Sequence, residues 1–320
     1  MRIHFWGVRG SIPSPLSPSQ IENRIAAIVQ RITPRDIETP DSRQRFISAL
    51  PQWLNGTVGG NTSCIEVETS SGDTILLDAG SGIREYGLFE AARLRSCRDN
   101  GGRTYHIFLS HFHWDHIQGL PFFPQAYNPA NRLCFYSTNP DMENLLYEQM
   151  KGPFFPVPMS FFNASLEFHH LSAENDSIRV GSARIAWRKV NHPGGCTSFS
   201  ITDEGKKCIY ATDTELAQED FHRTEENCVF FGKADMLIID AQYTMSEALE
   251  KSGWGHSYFS LSVDFAATWN IRKLFLFHHE PTYTDKKIYS LRQSAQWYLD
   301  YVGNSVPEIL VAREGEDVYL

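Results

Sequence analysis

Within six positions, His111-Phe112-His113-Trp114-Asp115-His116 places three imidazoles and a carboxylate on one short stretch of backbone. In a core, each of these groups would need its own hydrogen-bond partner, and the bulky Phe112 and Trp114 between them leave little room for that. Imidazole nitrogen and carboxylate oxygen are instead suitable ligands for a divalent cation such as zinc. The stretch follows the strand-like run YHIFLS, so its side chains emerge from a loop at a strand's carboxyl end, where α/β proteins tend to build sites. Other acids and imidazoles close comparable apolar runs: Asp78 after TILL, Asp213 after KCIYA, Asp240 after MLII and His278 after LFLF. His192 in NHPGG and His256 in GWGHS stand in glycine-bearing loops that could aim a ring.

These groups need a rigid scaffold. The runs CIEVE, TILL, YHIFLS, KCIYA, ADMLII and RKLFLF are short, rich in Ile, Leu and Phe, and closed by polar clusters, which reads as buried strands. Helical spacing is expected over 140–150, 258–269 and 286–302, giving an α/β chain in one domain, 1–320. The segment 15–57 departs from this alternation. Ile21, Ile25, Ile28, Val29 and Ile32 share one helical face, a second helix is expected over 42–50, and prolines at 13, 15, 18, 34, 40 and 51 punctuate the stretch. It reads as a helical insertion between the first and second strands, either a lid at the mouth of the site or additional core.

HFHWDH resembles the HxHxDH motif of the metallo-β-lactamase superfamily, and that family's other motifs follow in order: Asp78 in LLDAGSG, His192 in NHPGG, Asp213 in YATDTE and His278 in LFLFHHEP. GVRGSIP at the start and GGNTSC at Gly59 resemble the branch of ribonuclease Z-like and cyclic phosphodiesterase-like enzymes. The resemblance implies an αββα sandwich, two mixed β-sheets flanked by helices. It implies two divalent metal ions, zinc first and Mn2+ or Fe2+ as alternatives. His111, His113 and His192 would hold one, Asp115, His116 and His278 the other, with Asp213 bridging both. Asp78 would orient a ligand imidazole, and it could also cap the turn with Gly80 and Gly82. Neighbouring side chains of a continuing strand point to opposite faces, so only one of His278 and His279 can reach the metals. The family places its ligand directly after the strand, which selects His278.

Hydrolysis needs a nucleophile and a proton for the leaving group. The resemblance implies a metal-bridging hydroxide as nucleophile, with Asp115 both ligating and accepting a hydrogen bond from it. His256 is the candidate general acid. In ribonuclease Z-like enzymes a histidine in a similar setting pairs with a glutamate at a strand end; Asp240 occupies the similar place here, with a shorter reach. Arg9 in GVRGS is expected to line the pocket and contact an anionic substrate. Phe154, Phe155 and Phe161 in GPFFPVPMSFF are expected to form a packed wall beside the site.

The formal net charge of −9 argues against a surface built to grip long nucleic acid, while small phosphorylated substrates stay compatible because bound metal supplies positive charge. Six cysteines without a CxxC pair suit reduced thiols in a cytosol, and no run approaches a membrane span, so a cytoplasmic protein without membrane partners is expected. A homodimer is left open. The expected function is a dinuclear metal-dependent phosphodiesterase acting on a small nucleotide or cyclic phosphate. The alternatives are a tRNA 3′-end processing endonuclease, a lactonase or β-lactamase, and a di-iron oxidoreductase of the same fold. The first would carry a basic arm, the second has no need of His256 with Asp240, and the third typically replaces the second motif histidine, here His113.

Overall fold

The computed structural model describes residues 1–97, 101–172 and 177–320. Strand β1 (Arg2–Gly7) leads through α1 (Pro18–Val29), α2 (Pro34–Ile37), α3 (Pro40–Ala49) and α4 (Gln52–Asn55) to β2 (Cys64–Glu68) and β3 (Thr74–Leu77). Helix α5 (Gly82–Ser96), β4 (Thr104–Phe108), the single turn α6 (Trp114–Ile117), β5 (Arg132–Ser137), α7 (Met142–Gln149) and β6 (Ser165–His170) follow. The second half runs β7 (Ser177–Val180), β8 (Ala183–Val190), β9 (Cys196–Asp203), β10 (Lys206–Ala211), α8 (Glu225–Phe231) and β11 (Met236–Asp240). It ends with α9 (Met245–Glu250), α10 (Phe259–Thr268), β12 (Lys273–Phe277), α11 (Asp285–Tyr301), β13 (Glu308–Val311) and β14 (Asp317–Tyr319).

Two seven-stranded sheets result, β14-β1-β2-β3-β4-β5-β6 and β13-β12-β11-β10-β9-β8-β7. Each is antiparallel over one half and parallel over the other: β3 to β6 and β10 to β13 run parallel. Parallel strands are covered on both faces, which is why TILL and MLII read as unbroken apolar runs. One core lies between the sheets, built from Phe5, Phe108, Trp187, Phe199, Tyr210 and Phe277 among others. A second packs α5 to α7 on the first sheet, and a third packs α8, α10 and α11 on the second. The chain is therefore an α/β sandwich of two mixed sheets flanked by helices, the metallo-β-lactamase fold.

All six strand-like runs are strands, and the three expected helices are α7, α10 and α11. The segment 15–57 is helical and mostly superficial: α1, α2 and α3 bury no residue, Ile21, Ile25 and Val29 stay exposed, and Leu54 of α4 is its buried residue. Local chemistry holds these helices. Ser17 and Thr39 form capping boxes with Gln20 and Ser42, and proline occupies the first turn of α1 and α3. The layer is pinned to the start of α11 by an Arg24–Asp285 ion pair and by the Lys286 ammonium 5.3 Å from the Trp53 ring.

Candidate metal centre

The site lies where strand ends of both sheets meet. β3 leads into Asp78, β4 into the loop carrying His111 and His113, β10 into Asp213 and β12 into His278, while β11 ends on Asp240. Ser11, Asp78, Asp213 and His278 have φ between 46° and 63°, a left-handed conformation that costs of order 1–3 kcal/mol for a residue with a Cβ. The turns are forced because each side chain must bend off its strand end and into the cleft. Two glycines let the loops close. A Cβ on Gly10 would sit 2.5 Å from the His278 ring, and one on Gly255 (φ +86°) would sit 2.1 Å from His192 Nδ1.

Two groups of four converge there, His111, His113, His192 and Asp213, and Asp115, His116, Asp213 and His278. In the second, His116 Nε2 and His278 Nε2 are each 3.2 Å from Asp213 Oδ1, and 3.2 and 3.1 Å from Asp115 Oδ2. In the first, His111 Nε2 and His192 Nε2 are each 3.6 Å from Asp213 Oδ2, and His192 Nε2 is 3.1 Å from His113 Nδ1. Tetrahedral zinc with bonds of ~2.0–2.2 Å separates neighbouring donor atoms by ~3.3–3.5 Å. Asp213 presents one oxygen to each group, as a bridging carboxylate does. All the expected ligands except the exposed His113 are nearly inaccessible to solvent.

Hydrogen bonds on the far side of each ring settle which nitrogen is free. His116 Nδ1–H donates to Asp78 Oδ2 (2.7 Å), His278 Nδ1–H to Gln242 Oε1 (3.2 Å) and His192 Nδ1–H to the Gly255 carbonyl (2.9 Å). His111 Nδ1–H donates to Ser110 Oγ (3.1 Å), whose hydroxyl donates to Asp78. His111 and His192 thus turn a lone pair toward Asp213, acceptor against acceptor, an arrangement that a cation between them relieves. His111 Nε2 and His116 Nε2 are buried without a hydrogen-bond partner. The donor set fits two divalent cations.

The charge balance agrees. Burial opposes ionisation of Asp115 and Asp213, but His116 and His278 overcome it and hold both carboxyls well below the usual range. Burial also opposes the charged form of His116, yet Asp115, Asp213 and Asp78 push its pKa well above the usual imidazole value, so without metal this ring carries the compensating charge. Burial depresses His111, His113 and His192, keeping them neutral and able to ligate.

The family model for the beta-lactamase superfamily domain matches residues 73–279, a span containing all seven of these residues. The chain belongs to the beta-lactamase superfamily. Similar folds include a diphosphatase of the PhnP family (16% identity, TM-score 0.62, covering 100% of this chain and 97% of that one). Human tRNase Z, short form (15%, 0.60, 100% and 99%), and Zn2+-bound PqqB from Methylobacterium extorquens (16%, 0.60, 100% and 100%) share it as well. At these identities the likeness is one of fold. No curated protein matches in sequence.

Within this superfamily fold, Asp78 is fully buried and accepts four hydrogen bonds of 2.7 Å, from the Ser110 amide, the Ser110 hydroxyl, His116 and the Tyr210 hydroxyl. His278 joins the cluster. His279 turns away and donates to the Ala312 carbonyl at 2.9 Å, its pKa pushed down to about 3 by burial and Arg9. His256 lines the same cleft as His113, Asp115, Asp213 and His278, stacked 5.1 Å from the His278 ring, and its Nδ1–H donates to Asp240 Oδ2 at 2.6 Å. Aspartate's shorter reach therefore suffices.

Three expectations need correction. Arg9 does not face the cleft. It is 2% exposed, and its guanidinium donates to the carbonyls of Gly59, Glu280 and Tyr283 and to Asp285, where it ties three loops together. Phe154 and Phe161 form no packed wall: they are 82% and 62% exposed, and only Phe155 is partly buried. No residue of 15–57 lines the cleft, because the layer is anchored over α11 instead.

Sequence reasoning missed Ser110, Tyr210 and Gln242, which orient Asp78 and His278, and Glu215. The Glu215 carboxylate accepts the amide N–H groups of Gly253 and Gly255 at 3.0 Å and so holds the turn that carries His256. Its place in YATDTE, two residues beyond Asp213, was the available signal.

Proposed function

We propose that the protein is a dinuclear metal-dependent phosphodiesterase, loaded with zinc, that hydrolyses a small nucleotide or cyclic phosphate. The observation that carries this reading is the His256–Asp240 pair at the wall of the cleft. Burial opposes the charged imidazole, but Asp240, with Asp213 and Asp115 beyond it, pushes the pKa up to about 9. A ring that stays protonated at neutral pH beside the ligand groups is a proton donor for a departing alkoxide.

His111, His113 and His192 would hold one cation and Asp115, His116 and His278 the other, with Asp213 between them. When bound, the cations supply Lewis acidity toward phosphoryl oxygens and lower the pKa of water in the site. The chain's own groups do the rest. Ser11 N–H donates to Asp115 Oδ2 at 2.7 Å and fixes that carboxylate. His256 gives its proton to the leaving oxygen, and Asp240 stabilises the ring in the charged form and holds its orientation. On the far side of His111 and His113, a cavity of about 420 Å³ is lined by Ser137, Thr138, Asn139 and Lys189, a polar seat for the rest of an anionic substrate. A diphosphatase and a tRNase Z among the similar folds also favour phosphate chemistry.

The test is turnover of bis(p-nitrophenyl) phosphate against p-nitrophenyl phosphate, a lactone and a cephalosporin, with metals counted by elemental analysis. The diester should be the preferred substrate. Turnover of the lactone or cephalosporin without turnover of the diester would overturn the reading.

A further inference from the structure

Phe112 and Trp114 alternate with the ligand residues of the hexapeptide, and both line the cleft above the two metal groups. The same two side chains open into a second cavity of about 530 Å³, bounded by the turn after the hexapeptide, by α7 and by the loop that follows α7. Its other aromatic walls are Phe122, Phe154 and Phe155, with Phe122 and Phe155 edge to face at 5.5 Å. Trp114 is 77% exposed, Phe122 54% and Phe154 82%. Large aromatic side chains gathered in the open beside a catalytic cleft cost hydrophobic free energy that folding alone does not recover. They offer flat faces to a ligand. Gln149 also lines the groove, its amide Nε2 buried within the wall. Glu148 stands beside it and accepts from Lys151 Nζ at 3.0 Å.

We infer that this groove binds the nucleobase of the substrate, stacked on Trp114 and Phe154. An alkyl chain would use only the apolar area of the walls, whereas a heteroaromatic ring also stacks on their flat faces. The groove continues from the metal cleft through Phe112 and Trp114, so a phosphate in the cleft and a base in the groove belong to one molecule. This inference rests on the phosphodiesterase reading and names the part of the substrate that reading leaves open.

The experiment is calorimetric binding of adenosine 5′-monophosphate, ribose 5-phosphate and decyl phosphate to the zinc-loaded protein, repeated with Trp114→Ala, Phe154→Ala and Gln149→Ala. Folding is checked by circular dichroism and metal by elemental analysis. Base stacking on aromatic side chains predicts that the wild type binds the nucleotide on the order of tenfold or more tighter than ribose 5-phosphate. Trp114→Ala and Phe154→Ala should remove most of that difference, and Gln149→Ala should leave most of it in place. Equal binding of the two phosphates, a base preference that survives all three variants, or a stronger preference for decyl phosphate would overturn the assignment. Turnover of bis(p-nitrophenyl) phosphate is measured in parallel. Diester turnover without base selectivity overturns the groove alone, and base-selective binding without turnover of any diester overturns the hydrolase reading while supporting the groove.

Discussion

Replacing His256 with alanine separates metal binding from proton transfer. The ring's Nδ1–H is held by Asp240 at 2.6 Å, and with Asp213 and Asp115 in view its pKa stands at about 9. At about pH 7.5 an ordinary imidazole, with a pKa of ~6.5, is roughly one-tenth protonated, whereas a ring near 9 is almost wholly so. Cations bound at Asp213 and Asp115 cancel the share of those two carboxylates and lower the value, leaving Asp240 as its main support. His256→Ala should keep both metals and lose ~10²–10⁴-fold in turnover of diesters with an alkoxide leaving group, such as a 2′,3′-cyclic nucleotide. On bis(p-nitrophenyl) phosphate the loss should be far smaller, because p-nitrophenolate departs without a proton. Asp240→Asn keeps the ring but removes the supporting charge. Its loss at about pH 7.5 should be roughly tenfold and should shrink as pH falls toward ~6, where an unsupported imidazole is itself protonated. The acid form exists below the His256 pKa and disappears as pH rises through it, so Asp240→Asn moves the alkaline limb of the pH–rate profile to lower pH. Steady-state kinetics on both substrates across pH, with elemental analysis of each variant, decides the matter. Equal losses on good and poor leaving groups would refute proton donation, and lost metal would make His256 a ligand.

Further expectations concern the ligands and their supports. His113→Ala should lose most of its metal together with activity, as elemental analysis would record; retention of both would remove His113 from the ligand set. Asp78→Ala strips an acceptor from four buried donors and should destabilise the fold by about 3–5 kcal/mol in urea unfolding. It should also weaken metal affinity ~10–100-fold, and an unchanged affinity would mean that Asp78 is structural only. Arg9→Ala breaks a buried ion pair and should cost about 3–5 kcal/mol of stability while leaving KM for the diester unchanged; a raised KM in a protein of wild-type stability would return Arg9 to the substrate. His116 is held charged by Asp115, Asp213 and Asp78 until metal arrives, so zinc binding should release protons near neutral pH. Calorimetry in buffers of different ionisation enthalpy would detect this, and identical heats in all buffers would contradict it.

Much of the scaffold was legible because β3, β4, β10, β11 and β12 are short apolar runs, each closed by Asp, His or a polar turn, and these ends are where the site lies. Strands β7, β8 and β9 were harder to read. The last two alternate polar and apolar residues near the sheet edge, and β7 has only four residues. The choice between His278 and His279 followed from the strand's end, and the two rings do part, one toward Asp213 and the other toward Ala312. Arg9 was misread because a guanidinium in a glycine-flanked loop looks the same whether it faces water or is captured. Its captors, Gly59, Glu280 and Tyr283, come from segments far away in the chain. Phe154 and Phe161 were read as core because apolar composition ordinarily means burial, and a surface that keeps such groups exposed leaves no mark of it in the sequence. Glu215 and Gln242 act through hydrogen bonds to segments distant in the chain, and apart from Glu215's place in YATDTE no local pattern announces them.

The central claim is that Asp213 bridges two cations that activity requires, and metal counting tests it most directly. Protein dialysed against zinc and then freed of loose metal should hold two ions per chain. Exhaustive chelation should abolish turnover of bis(p-nitrophenyl) phosphate, added zinc should restore it, and Asp213→Ala should hold fewer than one ion. Full activity after chelation to metal-free protein, or two ions retained in Asp213→Ala, would contradict the account.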